Sequence, residues 1–157
     1  MVYDTFEAKT DDELFMLEAL KEAEKAANLG EVPVGAVIVK GNEIIARAHN
    51  QVETSRDSTA HAEMLAMDIA EKALNSKWLL DTTMYVTLEP CSMCAGAMVL
   101  ARIPRLVIGA DDPKTGACGS VLNIVDNTEL NHRIEITRGV LAQECGDIIR
   151  NFFKEKR

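Results

Sequence analysis

Two short segments far apart in the chain have to meet, and that requirement constrains the fold more than any other feature. His61-Ala62-Glu63 is followed thirty positions later (91 − 61) by Pro90-Cys91-Ser92-Met93-Cys94. One imidazole and two thiolates are ligands for zinc, which takes them in a tetrahedron; a hydrolytic site stops at three protein ligands and leaves the fourth position to water. A carboxylate that is not a ligand, here Glu63, can then move protons on and off that water. Cys91 and Cys94 are three residues apart and share one helical face, whose positive end favours thiolates, and Pro90 suits a helix start. His61 and Glu63 are two apart, about 200° around a helix at ~100° per residue, so they converge only by both looking past the N-terminal end of their helix. The spacing therefore predicts two helix starts facing each other across one ion.

The rest of the chain supplies a frame for such a meeting. Thr10 with Glu13 reads as a capping box opening a helix that stops at Gly30, with an apolar stripe through Leu14, Leu17, Leu20 and Ala27. Residues 34–39 and 43–48 read as strands joined at Gly41-Asn42 in a short hairpin. A polar loop over 50–58 leads to a helix from about Thr59 to Asn75. The apolar run 84–88 reads as a central strand ended by Glu89-Pro90, followed by a helix from Cys91 to about Arg102 and a buried strand over 106–110. A turn-rich connection over 111–131 precedes a short strand at 134–136 and a final amphipathic helix over 141–153. One mixed sheet with helices on both faces is the expected α/β architecture. At 157 residues, without repeat or linker, the expectation is a single domain over 1–157, residues 1–11 forming an N-terminal extension.

Composition excludes several classes. Mean hydropathy is −0.04, no run approaches a membrane span, and the first residues lack the pattern of a signal peptide. Four cysteines, two of them in a metal-type C-x-x-C, are too few for a disulfide framework at this length, so a reducing cytoplasm is expected, with Cys118 and Cys145 as free thiols. The net charge of −8 speaks against a polyanionic partner, but it is unevenly spread. Residues 1–31 carry nine acids and three bases (−6), and residues 100–157 carry eight and nine (+1). Arg102, Arg105, Lys114, Arg133, Arg138, Arg150, Lys154, Lys156 and Arg157 could form a phosphate-facing surface, or a scattered solvated one.

Other readings of the same residues stay open. The C-x-x-C could belong to a structural zinc, which would need a fourth ligand from Cys118, Cys145, His49 or His132. His49 and His132 read better as hydrogen-bonded structural residues. Asn50, just past the second strand, is either a turn residue or a substrate-binding amide.

The motifs resemble those of bacterial tRNA-specific adenosine deaminases, within the cytidine deaminase-like zinc deaminases, whose recognised signature is H-x-E followed by P-C-x-x-C. The resemblance runs from about residue 12 to the end. It is carried by Glu31-Val32-Pro33-Val34-Gly35-Ala36-Val37, Thr59 to Glu63, Tyr85 to Met98, Lys114-Thr115-Gly116, Asn131-His132-Arg133 and Phe152-Phe153. It implies a three-layer α/β/α fold around a five-stranded mixed sheet, a homodimer, one Zn2+ per subunit, and conversion of the anticodon wobble adenosine of tRNA to inosine. His61, Cys91 and Cys94 would be the ligands and Glu63 the proton shuttle. Asn50 would contact the target nucleoside, and Asp112 and Lys114 the flanking nucleotides. Two departures bear on RNA contact: the chain stops at Lys154-Glu155-Lys156-Arg157, and Asp111 sets a second acid beside Asp112. The same chemistry would also serve a deaminase of a free base or nucleoside, and a zinc-stabilised binding module without catalysis is the reading from another class.

Overall fold

A computed structural model describes residue 3 and residues 6–156; Met1, Val2, Asp4 and Thr5 of the expected extension, and Arg157 of the basic set, lie outside the described residues. The elements run α1 (Asp11–Asn28), β1 (Gly35–Lys40), β2 (Glu43–His49), α2 (Val52–Ser55), α3 (Ala62–Leu74), β3 (Thr82–Leu88), α4 (Ser92–Leu100), β4 (Arg105–Ala110), β5 (Glu135–Thr137) and α5 (Ala142–Glu155). The expected strands and long helices are present, with ends shifted by a few residues. The loop expected over 50–58 holds one addition, the short helix α2, closed by Arg56 in the left-handed conformation at φ 50°.

The sheet has the order β2-β1-β3-β4-β5. β1 pairs antiparallel with β2 and β3, whereas β3–β4 and β4–β5 are parallel. β2, β3 and β4 therefore all point the same way, and the segments leaving their C-terminal ends emerge along one edge of the sheet. Asn50 follows β2, Cys91 follows β3 and Asp112 follows β4. Val32 and Val34, which enter the oppositely directed β1, join them there. Strand direction alone thus gathers the residues that the sequence motifs single out.

Side chains alternate between the two sheet faces and feed two cores. Ala36, Ile38, Met84, Val86, Leu106 and Ile108 face α3 and α4, meeting Ala62, Ala66 and Met67 of α3 and Ala95 and Met98 of α4. Val37, Val39, Tyr85 and Val107 face the other way, onto Phe15, Met16 and Leu20 of α1 and Cys145 of α5. Gly35 lets α1 lie close to the sheet, because a Cβ there would land on the Ala19 carbonyl oxygen.

Two local expectations are corrected. The buried stripe of α1 runs through Phe15, Met16, Leu17, Ala19, Leu20, Ala23 and Ala26, while Leu14 is exposed and Ala27 only half-buried. The cap is also offset: Thr10 Oγ1 accepts from the Glu13 amide as expected, but Glu13 Oε1 accepts from the Lys9 amide and not from that of Thr10.

Candidate active site and metal centre

His61 is the N-cap of α3 and Cys91 the N-cap of α4, so the two helix starts face each other as the spacing requires. His61 Nδ1 lies 3.6 Å from Cys91 Sγ and 3.6 Å from Cys94 Sγ. Zinc with bonds of about 2.05 Å to nitrogen and 2.3 Å to sulfur, at a tetrahedral angle, separates the two donor atoms by about 3.5 Å. The triangle is already spaced for such an ion. His61, Cys91 and Cys94 are the one cluster of this kind among the described residues. The alternative fourth ligands lie elsewhere. His132 Nε2 donates to the Ile103 carbonyl at 2.7 Å, His49 Nδ1 bonds the Asn50 carbonyl at 3.2 Å, and Cys145 is buried in the core under α1. Cys118 is buried with its thiol toward the Pro90 carbonyl; Cys118 and Cys145 are both free thiols.

Electrostatics at the triangle favour a cation. The Cys94 thiol hydrogen-bonds Cys91 and, against burial, holds it down to about 5, helped by the Cys94 and Met93 amides at the start of α4 and by His61. That bond and burial push Cys94 in the opposite direction. Glu63, in the first turn of α3, is 4% exposed. Burial pushes its carboxyl up to about 7, against its own backbone amide and the His61 charge.

These residues open onto a cavity of about 280 Å³ whose lining includes Val32, Val34, Asn50, His61, Glu63, Leu88, Cys91 and Asp112. That is near the lower end of the roughly 300–1,000 Å³ common for ligand sites. Apolar walls with a few convergent polar groups suit a flat, partly polar ring. Asn50 is set by Nδ2 donating to the Val32 carbonyl (3.2 Å) and Oδ1 accepting from the Val52 amide (3.4 Å). These bonds leave one amide hydrogen and one carbonyl lone pair of Asn50 for a ligand. Asp112 also lines the cavity, but its carboxylate is engaged in its own turn, accepting from the Lys114 and Thr115 amides and the Thr115 hydroxyl. Lys114 is exposed and is not part of the cavity lining.

Two buried carboxylates are missed by the sequence motifs. Glu31 accepts from the Glu53 amide and from the amide and hydroxyl of Thr54, fixing α2 against the cavity; burial raises it, but these bonds leave it below the usual carboxylate range. Glu89 accepts from the Asp112, Cys118 and Ser120 amides, the Ser120 hydroxyl and Arg138. The available signal was an acid within two residues of a proline at the edge of an apolar strand, as in Glu31-Val32-Pro33 and Glu89-Pro90.

Four of the nine bases of the expected basic surface are held in internal pairs. Arg105 is bidentate to Asp12, Arg133 pairs with Asp126, Arg138 with Glu89 and Asp111, and Arg150 with Asp147.

Comparison with known proteins agrees with this geometry. Residues 10–157 match the family described as MafB19-like deaminase. The tRNA-specific adenosine deaminase of Bacillus subtilis (strain 168) is 55% identical over 148 residues, covering 94% of this chain and 92% of that protein. The protein of the same name from Streptococcus pyogenes serotype M18 is 48% identical over 143 residues, covering 91% of this chain and 90% of that protein. A solved structure from work on A-to-I editing by tRNA:A34 deaminases at the wobble position of transfer RNA superposes with a TM-score of 0.83 at 41% identity, covering 86% of this chain and 98% of that one. The five-stranded mixed sheet between helical layers is the same cytidine deaminase-like fold. With its His-x-Glu and Cys-x-x-Cys segments brought to one cavity, this chain belongs to the tRNA-specific adenosine deaminases, within the MafB19-like deaminase family.

Proposed function

We propose that this protein hydrolyses adenosine to inosine at the wobble position of tRNA anticodon loops, releasing ammonia, with one zinc held by His61 Nδ1, Cys91 Sγ and Cys94 Sγ. The observation that carries this is the 3.6 Å spacing from His61 Nδ1 to both sulfurs, with Glu63 buried at the same cavity. Zinc bound there supplies Lewis-acid activation of a water. Glu63 takes a proton from the attacking water and returns protons to ring nitrogen N1 and to the amine departing from C6. Its carboxyl is buried at the cavity beside the triangle, where one group can serve both transfers. Asn50 orients the nucleoside through its remaining hydrogen and lone pair, and Val32, Val34 and Leu88 exclude bulk water from the ring. A cavity this size takes one base, so the base leaves the loop stack to enter it, and the 111–115 turn with Lys114 meets the flanking nucleotides.

The protein acts in the cytoplasm on this reading. No helix among the described residues is long and apolar enough to cross a membrane. It works as a homodimer, and the shallow groove between the outer faces of α3 and α4, lined by Met64, Met67, Trp78, Ala97 and the 77%-exposed Leu100, is the contact surface we assign.

A second reading, a deaminase of a free base or nucleoside, is favoured by one observation: net charge −8 with Arg105, Arg133, Arg138 and Arg150 already paired. Incubation of the pure protein with an anticodon stem-loop carrying a wobble adenosine, in parallel with free adenosine, separates the two. Inosine in the stem-loop that diminishes with rising salt supports the tRNA reading. Turnover of the free nucleoside with none of the RNA overturns it.

A further inference from the structure

The segment 111–120 forms one wall of the cavity through Asp112 and Thr115, yet it contains no helix or strand of its own. Beside the bonds of its own turns, an ion pair with one buried partner, Glu89, ties it to the sheet. The Glu89 side chain is fully buried, and its two oxygens take the amides of Asp112 (3.1 Å), Cys118 (3.0 Å) and Ser120 (3.1 Å), the Ser120 hydroxyl, and Arg138 Nη2 (3.0 Å). Arg138, just past β5, adds the Cys118 carbonyl through Nη1 and the Asp111 carboxylate through Nη2 at 2.7 Å. Two glycines let the loop close on this pair. A Cβ at Gly116 would sit 2.5 Å from the Glu89 carboxylate, and one at Gly119 (φ 130°) would sit 3.2 Å from Arg138 Nη1.

Glu89 is also the residue before Pro90-Cys91, and the Pro90 carbonyl accepts from the Ala117 amide. The metal-binding turn and the substrate wall are therefore fastened to the same carboxylate. We infer that Glu89 and Arg138 are positioning residues for the deamination: they fix the 111–120 wall relative to the Cys91 turn and so set how well the nucleoside and its flanking nucleotides are held. This deepens the tRNA deaminase reading and rests on it for the identity of the substrate. Arg138 does not line the cavity and the Glu89 oxygens are turned to the loop and the guanidinium, so loosening the pair affects binding before chemistry.

The two partners differ in what their loss does. Removing Glu89 takes the acceptor from the buried Cys118 amide and the part-buried Asp112 and Ser120 amides, and one of three partners from Arg138, a change that can cost the fold. Arg138 is 35% exposed, and its loss leaves Glu89 with its four loop donors. The test therefore centres on Arg138→Gln and Arg138→Lys, with Glu89→Gln as a companion. Hydrogen bonds to charged groups are the stronger class, so losing three from one guanidinium raises KM for the stem-loop about tenfold or more in Arg138→Gln, with kcat within about threefold. Arg138→Lys, which keeps the charge but lacks the fork, recovers only part of it. Zinc content stays at the wild-type value in both. Amide hydrogen exchange at Asp112, Cys118 and Ser120 accelerates in Arg138→Gln while the β3 and β4 amides keep their protection.

Unchanged KM and unchanged loop exchange in Arg138→Gln overturn the inference, as does a loss confined to kcat. If the wild type acts on a free nucleoside and not on RNA, the same KM comparison is made with that nucleoside. The exchange measurement is independent of substrate, so a failure of the tRNA reading is distinguishable from a failure of this one.

Discussion

Glu63→Gln isolates the proton carrier, because the amide keeps the shape of the side chain and removes its capacity to cycle a proton. The structure sets how large the loss must be. Five carboxylates line the cavity: Glu31, Glu53, Glu63, Glu89 and Asp112. The oxygens of Glu31 are bonded to Glu53 and Thr54, those of Glu89 to its loop and Arg138, and those of Asp112 to its own turn. Glu53 is exposed. No buried carboxylate with uncommitted oxygens is left to substitute. General acid–base help is worth about 10² to 10⁴-fold, and one group here serves several transfers, so the loss should be about 10⁴-fold or greater. The His61, Cys91 and Cys94 donors are untouched, so zinc content and thermal midpoint should match the wild type. Single-turnover inosine formation on a stem-loop, with zinc measured on the same sample, reads both quantities. A variant with full zinc and more than a tenth of the wild-type rate would refute the assignment and direct attention to Glu53.

Cys94→Ala should lose zinc and activity together and lower the thermal midpoint, because on the proposed function one ion would tie the starts of α3 and α4; substoichiometric zinc in metal-replete wild type would contradict this. Asp12 is held below the usual carboxylate range by its hydrogen bonds to Arg105, so its contribution is present above its unfolded value near 3.8 and is lost as pH falls through the lower folded value. Asp12→Asn should therefore melt about 3–6 °C lower at pH 7, on roughly 1.5 kcal/mol, with the gap narrowing as the pH is lowered below the unfolded value near 3.8; a gap that stays constant with pH refutes the linkage. Lys114→Glu should raise KM for stem-loop RNA several-fold at low salt and less at high salt, while Glu43→Lys, at the β1–β2 hairpin on the opposite sheet edge, changes little; equal effects at both positions count against RNA at the 111–115 turn.

What could be read from the sequence was whatever depends on near neighbours or on rigid chemical spacing. The thirty-residue separation of His61 and Cys91 and the two-residue step to Glu63 demanded two facing helix starts, and His61 and Cys91 are both N-caps. Apolar strand runs and the Gly41-Asn42 hairpin placed the strands. What escaped depends on partners distant in sequence. Arg105 reads as a phosphate ligand until Asp12, 93 residues away, takes it, and Arg138 until Glu89, 49 residues away, does. Leu14 looked like part of the buried stripe of α1, but the buried arc runs through Phe15, Ala19, Ala23 and Ala26, and Leu14, ~100° back from Phe15, falls on the solvent side. Helix α2 is four residues long, held by Glu31 from another loop, and has no local periodicity to reveal it.

An acidic protein with a polyanionic substrate is a contradiction only if net charge stands in for the field at the site. Helix α1 has 18 residues and is about 27 Å long at ~1.5 Å per residue, and its C-terminal end leads through Glu31 to the cavity. Its first-turn acids Asp11, Asp12 and Glu13 are therefore at the far end. That is about three screening lengths at physiological ionic strength, where charges are attenuated within ~8 Å. Two of the acids nearer the middle are locally matched: Glu18 by Lys21 and Arg47, and Glu22 by Lys25 and Arg47. Glu22 is buried in that network, so reversing its charge would probe the packing of α1 on β2 and not long-range attraction. At the cavity itself Glu31, Glu89 and Asp112 turn their oxygens to backbone amides and hydroxyls of their own loops. An approaching phosphate meets a rim where these three carboxylates are already solvated by protein, with Glu53 and the Lys114 side chain exposed beside them, so the local balance there differs from the total of −8.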